Sequence, residues 1–177
     1  MAILPIRQFG DPALRQTAGE VERVTDMHKR LAQDMLDTMR EAPGVGLAGP
    51  QVGVLERIFV WEVGDESGVV LNPVITDRSD DSDVAEEGCL SLPGLYYPVE
   101  RSARVRVEGS DLSGNSVVLE ADELLARVCQ HEIDHLDGVL FIDRLTEEFR
   151  REALSQLRDQ ALGLSSRSKR APAEEQL

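Results

Sequence analysis

The sequence contains few cysteines and histidines, with only two and three of them in 177 residues. Cys89 and Cys129 could form at most one disulfide bond. The N-terminal segment shows no basic stretch followed by a long apolar one, so no secretory signal is evident. We therefore expect both cysteines to be reduced thiols, and a role as metal ligand is open for either.

Long apolar runs and positive charge are also scarce. No stretch of about eighteen apolar residues occurs, which excludes a membrane-spanning helix. Acidic residues outnumber basic ones by 33 to 19, and the resulting net charge of −14 argues against a broad surface for DNA or other nucleic acids. Length and composition match one globular domain, which we place at residues 1–164. Residues 165–177 are polar, and we expect a disordered tail there.

Two of the three histidines belong to one short pattern. His131, Glu132 and His135 read His-Glu-x-x-His, which is typical of hydrolytic metal sites when it lies on a helix. Apolar residues around it recur every three or four positions, which predicts a helix that ends near Gly138. At about 100° per residue, His131 and His135 lie roughly 40° apart and can share a metal ion. Glu132 lies roughly 60° from His135, where it can handle a proton of metal-bound water.

Such a site requires a third protein ligand, and the sequence offers several. A third histidine is excluded, because Phe141 stands where one metalloprotease class carries it. A second class uses a glutamate on a following helix, and three are available: Glu147, Glu148 and Glu152. The other candidate is Cys89, since a thiolate binds zinc or ferrous iron strongly. The residues alone leave both choices open.

Residues 44–53 form a glycine-rich segment whose backbone can approach a ligand closely. The segment lacks the Lys and the Ser or Thr of a phosphate-binding loop, so a P-loop is excluded. We expect irregular structure here. Gln51 is its one polar side chain. It could be a solvated or turn-bonding residue, or it could donate a hydrogen bond to an oxyanion beside a metal.

The remaining chain predicts helices and strands of ordinary length. Caps and apolar periodicity predict helices that begin near Asp11-Pro12, Thr25 and Thr146. β-Branched runs predict strands at 57–63 and 69–75 and a hairpin of 105–108 with 117–120. The acidic residues 77–83 predict an exposed loop, and 140–143 a short strand or loop. The expected fold is α+β, with antiparallel or mixed sheets packed around the metal-binding helix and a C-terminal helix.

Three segments resemble the signature motifs of the peptide deformylase family. They occur in the family's order and read Gly44-Val-Gly-Leu-Ala-Gly-Pro-Gln51, Glu87-Gly-Cys-Leu-Ser91 and Gln130-His-Glu-Ile-Asp-His135-Leu136. The resemblance runs from Leu4 to about Leu145. One position departs from the pattern, because Gly49 stands where the family usually has alanine. This change could loosen the loop that carries Gln51, but the glutamine itself is in place.

The resemblance implies a metal-dependent hydrolase that removes the formyl group from the N-terminal formylmethionine of newly made proteins and releases formate. Cys89, His131 and His135 would hold one divalent metal ion, commonly Fe²⁺, with Zn²⁺, Ni²⁺ or Co²⁺ as alternatives. Metal-bound water would attack the formyl carbon. Glu132 would accept a proton of that water and pass it to the departing amine.

Further residues would stabilise the transition state and bind the peptide. By the resemblance, the Gln51 side chain and the Leu90 backbone N–H would stabilise the oxyanion. Helical geometry places Leu124 and Val128 roughly 20° and 60° from His131, which predicts an apolar methionine pocket beside the metal. The resemblance adds two positions whose backbone would bind the peptide as an added strand would: Val45 and Gly46.

The same resemblance implies a cytoplasmic enzyme of bacterial type. Its partners would be N-formylmethionyl peptides of nascent chains, without DNA or membrane, and it would act as a monomer. Contact with the ribosome stays open. Two other function classes are a metalloprotease that uses a glutamate such as Glu152 as third ligand, and a catalytically inactive relative that serves as a binding module. Intact Cys89, Glu132 and both histidines argue against the second.

Overall fold

The computed structural model of the chain describes residues 2–164. It contains three α-helices and seven strands, besides three short 3-10 helices. The α-helices are α1 (Asp26–Glu41), α2 (Glu123–Leu136) and α3 (Glu147–Ala161). The strands are β1 (Gly46–Ala48), β2 (Ile58–Val63), β3 (Glu66–Arg78), β4 (Ser82–Glu87), β5 (Tyr97–Ser102), β6 (Arg104–Ser110) and β7 (Ser116–Asp122). The 3-10 helices are Pro12–Arg15, Gly49–Val52 and Phe141–Asp143.

Two antiparallel sheets make up the β structure. Five strands form one sheet in the order β1-β2-β3-β6-β7, and β4 pairs with β5 in the other. β6 and β7 pair in unbroken register from Arg104↔Asp122 to Ser110↔Ser116, as expected for the predicted hairpin. β1 is a short strand at the edge of the larger sheet, so one side of its backbone is open to a further strand.

The helix α2 lies between these sheets. All eleven residues from Ala126 to Leu136 are buried, which is unusual for a helix of mixed polarity. Its apolar side packs on the larger sheet, where Cys129, Ile133 and Leu136 join one hydrophobic cluster with Phe59 and Val107. The expected α+β fold, with a central helix and a C-terminal helix, is confirmed.

The segment between β4 and β5 is held by α3. Cys89, Leu92 and Leu95 share a hydrophobic cluster with Ala153 and Leu157 of that helix. The cap of α3 is as predicted, since the Thr146 hydroxyl accepts a hydrogen bond from the Phe149 N–H at 3.4 Å. The C-terminal helix thus packs behind the loop that carries Cys89.

Several local expectations were wrong in detail. The glycine-rich segment is not irregular throughout, since it contains β1 and the 3-10 helix Gly49–Val52. The acidic stretch 77–83 is mostly strand, because β3 continues to Arg78 and β4 begins at Ser82. Residues 141–143 form a 3-10 helix. In each case pairing or packing with distant residues overrides the local polarity.

Within residues 2–164, none of the helices combines the length and the apolar character that crossing a membrane requires. The predicted disordered tail, 165–177, lies outside the described residues.

Candidate metal centre

Cys89, His131 and His135 converge in the interior, although Cys89 is distant in sequence. All three are buried, and one ligand atom from each lies within 4.8 Å of the others. The Cys89 Sγ is 3.3 Å from His135 Nε2. The two histidines come together because α2 places residues four apart on one face. Glu147, Glu148 and Glu152 are exposed on α3 and do not belong to this group.

The same place contains buried polar atoms that find no partner within residues 2–164. They are His131 Nε2, His135 Nδ1 and both carboxylate oxygens of Glu132. Leaving such atoms buried and unpaired is costly. A divalent cation with a water ligand would satisfy His131 Nε2 and the Glu132 carboxylate, and one thiolate with two imidazoles is a donor set that suits zinc or ferrous iron. The residues present therefore fit a metal ion.

Burial also shifts the pKa of two of the candidate ligands. It raises the pKa of the Cys89 thiol to about 12, so that a nearby positive charge is required to make the thiolate at neutral pH. Burial, followed by the neighbouring His131, holds the pKa of His135 well below its usual value. His135 is therefore a neutral imidazole, the form that binds metals.

Glu132 is completely buried beside the two histidines. Burial, reinforced by the negative charge of Glu87, raises its pKa well above the usual value. Its carboxylate lies directly against β1, because a Cβ placed on Gly46 would be only 2.3 Å from Glu132 Oε1. Glycine at position 46 is what allows this approach.

Gln51 is buried and faces the metal centre. Its Oε1 accepts a hydrogen bond from the Ala48 N–H at 2.8 Å, which fixes the turn. Its Nε2 donates towards Cys89 Sγ at 3.7 Å and Ser91 Oγ at 3.4 Å. The amide thus bonds the turn through its oxygen and presents its N–H groups to the site. In the part of the chain that the structure describes, the Leu90 backbone N–H donates to no protein acceptor.

The loop that carries Gln51 is tightly held at Gly49. The Val54 N–H donates to the Gly49 carbonyl at 2.9 Å. A Cβ on Gly49 would lie 2.8 Å from the backbone oxygens of both Val54 and Glu56. The missing side chain lets residues 54–56 close over the loop, which argues against the suggested loosening.

The residues predicted for the methionine pocket differ in their surroundings. Val45 and Val128 are buried in the cluster between α2 and the larger sheet, with Leu124 packed against it. Leu124 also lines a cleft of about 590 Å³ with Ala85 and Arg127. Neither the proposed metal ligands nor the other predicted pocket residues line that cleft.

Sequence analysis missed the buried charges behind His131. Glu87 Oε2 is 3.0 Å from His131 Nδ1, and its carboxylate accepts hydrogen bonds from Arg101 at 2.8 and 2.9 Å and from Arg127 at 2.8 Å. Burial opposes ionisation, but the hydrogen bonds from Arg101 and His131 dominate and hold the pKa of Glu87 far below its usual range. Glu87 thus orients His131 so that Nε2 faces the site.

Asp134, between the two histidines in sequence, anchors the other end of Arg101. Its carboxylate accepts from Arg101 Nη1 at 2.7 Å and from Arg144 Nη2 at 2.6 Å. In the sequence, only the position of Glu87 and Asp134 inside the motifs could have indicated these buried charges. Nothing in the sequence marks their arginine partners, because those lie far away along the chain.

The geometry agrees with comparisons to known proteins. The family model of polypeptide deformylase matches residues 3–151. The chain belongs to the peptide deformylase family. It is 51% identical over 162 residues to the peptide deformylase of Acidothermus cellulolyticus, covering 90% of this chain and 88% of the relative. With that of Clostridium botulinum the identity is 49%, over 84% of this chain and all of the relative.

Solved deformylase structures share the fold. The crystal structure of the Thermus thermophilus enzyme superimposes with a TM-score of 0.85 at 50% identity, covering 92% of this chain and 97% of that one. The Ehrlichia chaffeensis enzyme in complex with actinonin gives 0.86 at 36% identity, over 90% and 98% of the two chains. The enzyme is thus a metal-dependent hydrolase that removes the formyl group from N-terminal formylmethionine, and neither a general metalloprotease nor a binding module describes it.

Proposed function

We propose that Cys89, His131 and His135 hold one divalent cation, most simply Fe²⁺, with Zn²⁺, Ni²⁺ or Co²⁺ able to occupy the same donors. The observation that carries this proposal is their convergence within 4.8 Å beside the Glu132 carboxylate, which has no hydrogen-bond partner among residues 2–164. When bound, the cation supplies Lewis acidity for activating water and polarising the formyl carbonyl. Cys129 takes no part, because it lies on the opposite side of α2 in the hydrophobic cluster.

Glu132 is the proton carrier in this proposal. It accepts the proton of the attacking water and delivers it to the amine nitrogen that leaves as formate is released. Burial raises its pKa well above the usual value, and a nearby cation would favour the ionised form that accepts a proton. Because Gly46 leaves room for the carboxylate, Glu132 can approach both the water and the leaving nitrogen.

Two N–H donors stabilise the oxyanion that forms at the formyl carbon. We assign these to the Gln51 amide and the Leu90 backbone. The Gln51 Nε2 is directed at the Cys89 sulfur, and the Leu90 N–H is free of protein acceptors among the described residues. Donors fixed before the reaction stabilise developing charge without reorganisation.

The peptide binds along β1 with its methionine towards α2. The Val45 carbonyl accepts from the Glu62 N–H of β2. Because hydrogen-bonding direction alternates along a strand, the N–H and C=O of Gly46 point to the open edge, where a peptide can pair as an added strand. The half-buried Leu124 forms one wall of the methionine pocket, and Val45 and Val128 support it from the core.

We also propose an oligomeric state, a location and a partner for the enzyme. The enzyme acts as a monomer in the cytoplasm on N-formylmethionyl nascent chains, and the ribosome is the partner that presents them. The net charge of −14 favours a small contact area with the ribosome, because ribosomal RNA repels a broad acidic surface. Size-exclusion chromatography and ribosome co-sedimentation test these two points.

The decisive experiment replaces Glu132 by glutamine in protein purified anaerobically. The variant should keep its metal but lose about 10²–10⁴ in the rate of formate release from a formyl-Met peptide, the usual contribution of a general base. Elemental analysis gives the metal identity and content. Glu148→Gln on the exposed face of α3 is the matched control and should behave as the wild type. Loss of metal in Glu132→Gln would show that Glu132 is a ligand.

A further inference from the structure

A second cleft lies beside α2, outside the metal centre. Its volume is about 430 Å³, and it opens where the end of β3, the end of β5 and the residues after α2 meet. None of the proposed metal ligands or substrate-binding residues lines it. Its polar lining includes Arg78, Arg101, Arg144, Gln130, Ser82 and Ser102.

Two of the three arginines share one carboxylate. Arg101 Nη1 and Arg144 Nη2 donate to Asp134 at 2.7 and 2.6 Å, and Arg144 Nε adds a bond of 3.1 Å. The Nη1 of Arg144 has no hydrogen-bond acceptor among the described residues, and half of the Arg144 side chain is exposed. Asp134 is therefore fully engaged, while part of the Arg144 guanidinium still faces the cleft.

Arg78 is the group that lacks a counter-charge. Its Nη1 donates to the Gln130 side-chain oxygen at 2.9 Å, and within residues 2–164 it forms no ion pair. Its pKa is lowered, chiefly by partial burial; the negative charge of Asp134 opposes this shift, and the positive charges of Arg144 and Arg101 add to it. Gln130 cannot turn away, because its amide also bonds Ser102 N–H and carbonyl at 3.2 and 2.9 Å.

The arginines that line the cleft outnumber its carboxylates, although Arg101 is also paired with Glu87 behind the cleft. Three arginines face two carboxylates, Asp134 and Glu100. Asp134 is paired with Arg101 and Arg144, and Glu100 accepts a hydrogen bond from the Ser82 hydroxyl. The Ser102 hydroxyl makes no hydrogen bond to the described residues. Free donors on several sides of one opening are the arrangement that an oxyanion requires.

We propose that this cleft binds a small oxyanion of the phosphate type, held by Arg78, the free edge of Arg144 and the Ser102 hydroxyl. Guanidinium groups match phosphate with paired N–H bonds and remain charged under all physiological conditions. A compact anion is favoured over a nucleic acid strand, because the neighbouring Asp77, Asp80 and Asp81 repel an extended polyanion. This site is distinct from the metal centre and goes beyond the proposed function.

The test is calorimetric titration of inorganic phosphate into the metal-loaded full chain at neutral pH and constant low ionic strength. Saturable binding is expected in the wild type. Arg78→Gln should weaken it by about tenfold to a hundredfold, the effect of losing one charged hydrogen-bonding pair. Arg78→Lys should retain part of the affinity, because it keeps the charge but not the paired donors.

Arg104→Gln is the matched control. Arg104 is exposed and paired with Asp81 at 2.8 Å, and it does not line this cleft, so its loss should leave phosphate binding nearly unchanged. Phosphate binding that Arg78→Gln leaves intact would place the anion elsewhere, for instance at the metal, and overturn the proposal. An equal loss in Arg104→Gln, or no saturable binding, would do the same. If an RNA oligonucleotide binds more tightly than phosphate and this binding depends on Arg78, the ligand of the cleft is a polyanion and the proposal of a small anion is overturned.

Discussion

The two cysteines are both buried, but their neighbours differ. Cys89 lies among polar groups, with His135 Nε2 at 3.3 Å and the Gln51 amide at 3.7 Å. Cys129 lies among apolar side chains of α2 and the larger sheet, including Ile133. Burial raises the pKa of the Cys129 thiol to about 12, and there it behaves as a small hydrophobic residue.

Replacing each cysteine by alanine should therefore give opposite results. Cys129→Ala should keep metal content and activity and lose about 1 kcal/mol of stability through the cavity it leaves. Cys89→Ala should lose activity and most of its metal, because only two ligands would remain. Elemental analysis of metal per chain measures the difference. Full metal loading in Cys89→Ala, or metal loss in Cys129→Ala, would overturn the assignment of the third ligand.

The helix α2 carries two kinds of chemistry on neighbouring faces. One face presents His131, Glu132 and His135 to the metal centre, and the next presents Arg127 and Asp134 to a buried group of charges. Glu87 and Arg101 complete that group, with both side chains almost fully inaccessible to solvent. The charges are tolerated inside because each carboxylate meets two or more donors. Together they connect α2 to both strands of the smaller sheet.

Arg101→Ala should break this connection. It leaves Glu87 and Asp134 buried with fewer partners, which typically costs about 3–5 kcal/mol, and it loosens the hydrogen bond that orients His131. Urea unfolding of metal-saturated protein measures the loss. Arg104→Ala removes an exposed ion pair with Asp81 at the start of β6. This substitution should cost about 1 kcal/mol or less. A loss in Arg101→Ala no larger than in this control would contradict a structural role for the buried charges.

At the scale of the whole molecule, the metal centre is the junction of otherwise separate parts. His131 and His135 come from α2, Cys89 from the loop that packs on α3, and Gln51 from the loop after β1. A cation bound there connects all of these in the native state only. Without it, buried polar atoms such as Glu132 Oε1 and His131 Nε2 are left unpaired, which opposes folding.

Metal removal by a chelator should therefore lower the midpoint of thermal unfolding. A ligand that binds the native state alone stabilises it by about 2.7 kcal/mol at a free concentration a hundred times its Kd. Scanning calorimetry of the wild type with and without chelator measures the shift. Cys89→Ala serves as the control, and the chelator should hardly change it. An unchanged midpoint in the wild type would mean that the cation does not contribute to folding stability.

Much of the fold could be predicted from local patterns. The spacing in His-Glu-x-x-His, the apolar periodicity around it and the caps at Thr25 and Thr146 concern residues within a few positions of one another, so the sequence determines them directly. The three motifs were sufficient to recognise the family. Strand ends were predicted less well, since the acidic residues near Arg78 continue β3 only because β6 supplies their hydrogen bonds.

What the sequence by itself determined is the helix with its two histidines and the set of candidate third ligands. Only the tertiary structure decided among them, by bringing Cys89 to His135 across 46 residues and leaving the α3 glutamates exposed. It also decided that Glu87, Arg101 and Arg127 are buried, which no local pattern indicates, because a charged residue is buried only when distant partners neutralise it. The physical reason is the same in both cases. A residue's chemistry depends on its neighbours in space, and folding selects those from anywhere in the chain.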